Sequence, residues 1–189
     1  MTQSELSPHA KPLAEILPRL ELSEPALGLK PDGTAEAFVD RLAAELLFLD
    51  AIHVLAHALP KRDAVAWAAD CVQSIGMSTK PEQSAALEAA RRWAAEPSEE
   101  NRRATQKAAE AAKTDTPAGC VAMAAFFSEG NLAPPEAKVV IPPADDLTGR
   151  CAAGAVLLAG VLVQPESAPQ RYAKFVEQGL KILKSKRPS

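Results

Sequence analysis

The sequence predicts an all-α protein, an irregular bundle of about six main helices. Three observations lead there. Alanine supplies 38 of the 189 residues, and alanine both favours helix and lets helices approach closely. Apolar residues recur at helical spacing through most of the chain. Prolines and glycines fall between these stretches and punctuate them.

The first 33 residues form a Pro-rich arm, with prolines at 8, 12, 18, 25 and 31. Helical turns are expected only around Leu13–Leu17. The arm also carries Ile16, Leu17, Leu20, Leu22, Leu27 and Leu29, too many apolar side chains for a free linker, so part of it should dock on the domain formed by residues 34–189. Thr34 suits an N-cap. From it to about Ala58, Phe38, Leu42, Leu46, Leu49, Val54 and Leu55 keep helical spacing,. Pro60 restarts a helix in its first turn, and Gly76 stops it near Ile75. Val65, Ala68, Ala69 and Val72 are its expected core stripe.

Pro81 opens the next helix, which runs to Glu96 and ends before Pro97. Ser98 caps another over Glu99–Lys113, with Glu99 and Glu100 at the positive dipole end. Pro117 begins a helix to about Ser128, closed by Gly130. Residues 131–147 hold two proline pairs and cannot be helical. They are expected to run extended with Val139–Ile141 pressed onto the body. Thr148 should cap an apolar central helix to Val163. The last helix, about Ala168 to Lys184, carries Tyr172, Phe175, Val176, Leu180 and Leu183. Adjacent helices should pack antiparallel, and no fixed-period repeat supports a solenoid.

Composition narrows the function classes. A net charge of −3 argues against general nucleic-acid binding. The basic C-terminal end, Lys181, Lys184, Lys186 and Arg187, reads most simply as complementing its own helix dipole. Cys71, Cys120 and Cys151 have neither zinc nor redox spacing; among Ala and Val they read as small buried hydrophobes, suited to a reducing cytoplasm. Cys151–Val163 is the most apolar stretch, and its 13 residues are too few to span a bilayer,. The N-terminus has no signal-peptide pattern. The expected setting is cytoplasmic.

Candidate chemistry is sparse. Asp50, His53 and His57 share one helical face at i, i+3 and i+7, an arrangement that can share a metal. The run HVLAH lacks the glutamate of a zinc-peptidase motif,, and no third histidine lies near; the other, His9, is in the arm. The plainer reading is that Asp50 and His53 are half-exposed and that His57 meets helix-end carbonyls. Lys61, Arg62 and Asp63 open a helix; the two cations sit at its disfavoured end and invite an external carboxylate or an internal one such as Asp50 or Asp70. Trp67 and Trp93 suit grooves between helices, although tryptophan also anchors interfaces. Arg91, Arg92, Arg102 and Arg103 flank the Pro97 turn, interleaved with Glu96, Glu99 and Glu100; this reads as a salt-bridged hairpin in preference to a phosphate cradle. No cofactor motif stands out. Lys61, Arg62, Asp63, Trp67, Arg102 and Arg103 are the candidate partner-binding residues.

Three stretches together carry a resemblance: ALPKRDAVAWAADC (58–71), RRWAAEPSEENRRATQKAAEAA (91–112), and the run from PAGCVAMAAFFSEGNLAPP (117–135) through LTGRCAAGAVLLAGV (147–161). They resemble an uncharacterised bacterial family, a domain of unknown function whose genes lie near type VI secretion components, over roughly residues 40–184. The family has a bulkier aromatic pair near Val65–Ala66, where this chain has only Trp67. No catalytic residue is implied. The resemblance implies a secretion-associated accessory: an adaptor or chaperone-like module for an effector or spike component. An immunity protein masking a cognate toxin is the alternative, and a metal-dependent enzyme using Asp50, His53 and His57 a third reading.

Overall fold

The structure is a computed structural model that describes residues 11–76, 80–134 and 136–185. Pro8, His9, Pro135, Lys186 and Arg187 lie outside the described residues. Ten α-helices and two short 3₁₀ turns lie among the described residues, with no strand among them. The all-α expectation holds. The helix number is higher than about six, because the expected segments taken singly are already seven, the arm adds two short helices and one long segment is broken in two.

The arm contributes α1 (Leu13–Ile16), a 3₁₀ turn (Leu17–Arg19) and α2 (Glu24–Gly28). Leu13, Ile16 and Ala26 are buried, and Leu17, Leu20, Leu22 and Leu29 pack against the core. The docking expectation is met by these residues; Leu27 instead faces solvent. Ser23 caps α2, its Oγ accepting from the Ala26 N–H,.

The segment expected to be one helix from Thr34 to Ala58 is two: α3 (Ala35–Ala44) and α4 (Phe48–Ala58). The break is a left-handed residue, Leu46, at φ +59°. The Leu46 N–H donates to Ala43 O, and the Leu47 N–H donates to Leu42 O, the pairing of a Schellman ending that glycine usually serves. Turning the chain there takes Leu46 and Leu49 out of the core stripe; both are exposed. Phe38, Leu42, Val54 and Leu55 remain fully buried.

Then come α5 (Lys61–Ser74), α6 (Pro81–Ala95), α7 (Glu99–Ala112) and α8 (Pro117–Phe126). Pro60 occupies the N-cap of α5, one residue earlier than expected. Gly76 follows α5 at φ +68°. Ser98 caps α7 as expected, its Oγ accepting from Asn101 N–H at 3.1 Å. Thr116 does the same for α8 through Gly119 N–H. α9 (Leu147–Leu162) packs against α4, α5, α8 and α10 (Ala168–Ser185), so the apolar stretch is the central helix. Close approach is built in at Gly160, where a Cβ would lie 2.0 Å from the Tyr172 ring. Tyr172 crosses that gap and donates to Leu157 O at 2.8 Å. Trp67 fills the space between α5 and α10, donating from Nε1 to Phe175 O at 3.0 Å. Cys71 is buried, whereas Cys120 and Cys151 are only half-buried. Burial pushes the Cys151 thiol up to about 11,.

Candidate functional site

Two places on this scaffold gather polar groups from distant parts of the chain. The first begins at the start of α7. Arg102 is fully buried despite its charge, and burial of a guanidinium requires partners on every side. Glu99 supplies both carboxylate oxygens, at 2.6 Å from Nε and 2.7 Å from Nη2. Nη1 donates to Phe126 O at 2.7 Å, and Nη2 also donates to Asn131 O at 3.0 Å. The guanidinium lies over the Phe126 ring, 4.8 Å from its centroid,. Arg103 shares Glu99 and donates to Ala133 O. The two guanidiniums hold the Glu99 carboxyl down to about 2,.

These arginines fasten the start of the Pro-rich segment, and Asn131 closes it into a loop. Its Nδ2 donates to Val139 O at 3.0 Å, and its Oδ1 accepts from the N–H groups of Ala133 and Ile141. The Leu132 N–H donates to Ile141 O at 2.8 Å. Residues 131–133 and 139–141 thus lie side by side as the neighbouring ends of a loop,. Val139, Val140 and Ile141 were expected to press onto the body. They do not: their exposures are 53%, 75% and 48%. The clasp uses the backbone of Val139 and Ile141 and leaves their side chains outside.

The second place is the beginning of α9. Thr148 was expected to cap this helix; instead it lies inside the first turn, buried. Asp146 holds the N-cap position without a side-chain cap bond. Beside it Asp145 gathers three cations: Lys11 Nζ at 2.7 Å, Arg19 Nη1 at 2.5 Å and Lys61 Nζ at 3.0 Å. They hold its carboxyl far below the usual carboxylate range,. Asp145 therefore ties the arm and α5 to α9.

A family model matches residues 38–183, and its description is a family of unknown function, DUF6931. The chain belongs to this family. No curated protein and no solved structure matches the chain. The DUF6931 span includes the α7 arginines, the loop they fasten and all of α9. It begins after Lys11 and Arg19, so two of Asp145's three cations lie outside it.

Within DUF6931, the residues singled out from sequence have these places. Lys61 turns inward to Asp145 and to Ser128 O at 2.8 Å. Arg62 donates to Ala94 O at 2.7 Å and Ala95 O at 3.0 Å, and so finishes the last turn of α6,. Neither uses Asp50 or Asp70. Asp70 pairs with Arg91 at 2.6 Å, so that arginine reaches across to α5 and not around the Pro97 turn. Asp63 is half-buried in the first turn of α5. Trp67 is in the core, and Arg102 and Arg103 serve the loop.

Asp50, His53 and His57 do share a face of α4. Among the described residues no group of three or more His, Cys, Asp or Glu side chains is placed to hold a metal. The reason is local. Asp50 is buried and both its oxygens accept from Ser23, from N–H at 2.8 Å and from Oγ at 2.9 Å. His57 is buried too, and its Nδ1 lies 2.8 Å from His53 O. Burial lowers the pKa of both histidines,. Asp145 and Asn131 escaped the sequence reading: their partners lie far along the chain or on backbone atoms, and no local spacing announces either. No helix of the described residues is long and apolar enough to cross a membrane.

Proposed function

We propose that this protein is a non-enzymatic interaction module that offers Val139, Val140 and Ile141 to an apolar recess on another protein. The observation carrying this reading is the exposure of three consecutive large apolar side chains on a loop that Arg102 and Arg103 fasten to α7 and Asn131 closes on itself. Contiguous exposed apolar surface costs solubility and marks interaction sites. Here the loop backbone is fixed by Asn131, Arg102 and Arg103, so less ordering remains to be done on binding.

The finer role we propose is that of a cytoplasmic adaptor or chaperone-like accessory for a bacterial type VI secretion effector or spike component. It rests on the gene neighbourhood that the family resemblance implies and is an association between genes. The test is affinity purification of the full chain from its native host, beside a variant carrying Val139→Ser, Val140→Ser and Ile141→Ser. The proposal expects a secretion component with the wild type and its loss with the variant. Recovery of no secretion component removes the adaptor role. Rescue of growth against a neighbouring toxin would assign immunity instead.

A further inference from the structure

Charged side chains cover the outer face of α10, where Lys174, Glu177, Lys181 and Lys184 are exposed. The outer face of α9 has none at its centre. We propose that the outer face of α8 and α9 is where two copies of this chain meet across a twofold axis, the two α9 helices crossing at Gly154.

Leu158, Val161 and Leu162 are 37%, 44% and 47% exposed, and Cys151 and Gly154 are half-buried beside them. Steps of three and four residues set all five on one side of the helix. A helix that is apolar all round is normally covered all round. Here α4, α5, α8 and α10 pack against α9 and leave this side open. Arg150, in the first turn and paired with Asp146 at 3.6 Å, is the one charged residue of α9, and α8 has none. α8 packs beside α9 and shows Cys120 and Met123, with Phe127 just past its end. Burial, and then Cys120, push the Cys151 thiol up, so the two stripes adjoin. At its far end Leu162 continues the apolar surface into a shallow groove with Val72, Ile75, Leu87 and Pro117.

Gly154 points to a close neighbour on that side. Glycine weakens a helix interior relative to alanine. Gly149 and Gly160 have their reason inside the chain, because a Cβ would strike His57 or Tyr172. A Cβ on Gly154 would meet nothing within 4 Å. Bare backbone there lets a second helix lie close, with Cys151 and Leu158 as the flanking ridges. The charge pattern says which helix. A twofold axis sets one patch against itself, so a charge near the axis would face its own like, and this patch has none there. Recognition of a different protein draws on complementary charges, which the face cannot offer. A centre depleted of charge is the composition of homodimer interfaces. The area agrees. α9 has 16 residues and is about 24 Å long, so two helices each about 10 Å wide make a face of roughly 500 Å² in outline. The groove beyond Leu162 extends it toward the roughly 600 Å² a side of the smallest stable interfaces. A face of this size suits a reversible dimer.

Sedimentation equilibrium of the full chain between about 1 and about 200 µM tests this. The mass should rise from 20.0 kDa toward twice that value. Gly154→Ala should raise the dissociation constant tenfold or more, while the melting temperature of the dilute monomer stays level or rises, because alanine favours helix. Leu158→Lys puts a cation on an exposed position near the helix end that suits it; the protein should stay monomeric with an unchanged circular dichroism spectrum. A photoreactive residue at Val161 in the otherwise wild-type chain should join two copies through peptides of α8 or α9, a readout that needs no loss of binding. A constant mass of 20.0 kDa, either variant dimerising as the wild type does, or crosslinks confined to other elements would each overturn the proposal. A constant mass together with binding to phosphatidylcholine vesicles would overturn it in favour of a membrane surface.

Discussion

Replacing Arg102 by methionine tests how the exposed loop is held. Methionine keeps most of the buried stem and removes the guanidinium. Phe126 O then loses the Nη1 donor, and Asn131 O keeps only Arg103. An abandoned buried carbonyl costs about 1–3 kcal/mol, and a hydrogen bond from a charged donor contributes about 1.5–3 kcal/mol. Glu99 is partly spared, because it is solvent-facing and retains Arg103. The sum falls near the lower end of the roughly 3–5 kcal/mol expected on breaking a buried ion pair, so a loss of about 3 kcal/mol is expected. Urea denaturation measures it, with the slope unchanged if the unfolded state is unaffected. Hydrogen exchange should show where it acts: the Leu132 and Ile141 amides, both bonded across the loop closure, should exchange faster than those of α9. A loss below about 1 kcal/mol, the range of an exposed ion pair, would refute the claim that Arg102 fastens the loop. So would unchanged exchange at Leu132 and Ile141.

Other perturbations probe the scaffold. Gly160→Ala puts a Cβ into the Tyr172 ring and breaks its bond to Leu157 O; overpacking and the lost bond together should cost about 3 kcal/mol in a denaturation curve. Leu46→Gly removes left-handed strain at a residue that is 71% exposed and should stabilise the fold by about 1 kcal/mol, read as a higher melting temperature. His57 has its pKa lowered by burial, so the unfolded chain binds its proton more readily than the folded one. Stability from this group is therefore present above about pH 6.5 and declines as pH falls below it, at most about 1.4 kcal/mol per pH unit. Melting curves between pH 5 and 7 should show the decline, and His57→Phe should reduce it, with His53, whose pKa burial also lowers, supplying the remainder.

The sequence disclosed helices wherever neighbours in the chain decide the outcome. Ser98 and Pro117 mark helix starts through short-range bonds and a fixed φ, and both lie where expected. The central helix was legible from its apolar content, and Trp67 from its alanine neighbours. Leu46 was not legible: a leucine in the left-handed region looks, in sequence, like another step of the apolar stripe. Thr148 looked like a cap because threonine caps helices, yet α9 starts before it. The Val139–Ile141 error has a similar root. Apolar side chains on an extended segment normally turn inward, and here Asn131 takes the inward side with backbone bonds. The gathering of Lys11, Arg19 and Lys61 on Asp145 spans up to 134 positions, and only the packed fold brings it together.

Crosslinking from position 140 tests the central claim most directly. A photoreactive residue at Val140 in the full chain, expressed in the native host, should capture one discrete protein. The same residue at Glu88, exposed on α6, should capture none. Equal labelling from both positions, or no adduct from Val140, would contradict the account of this loop as a docking surface.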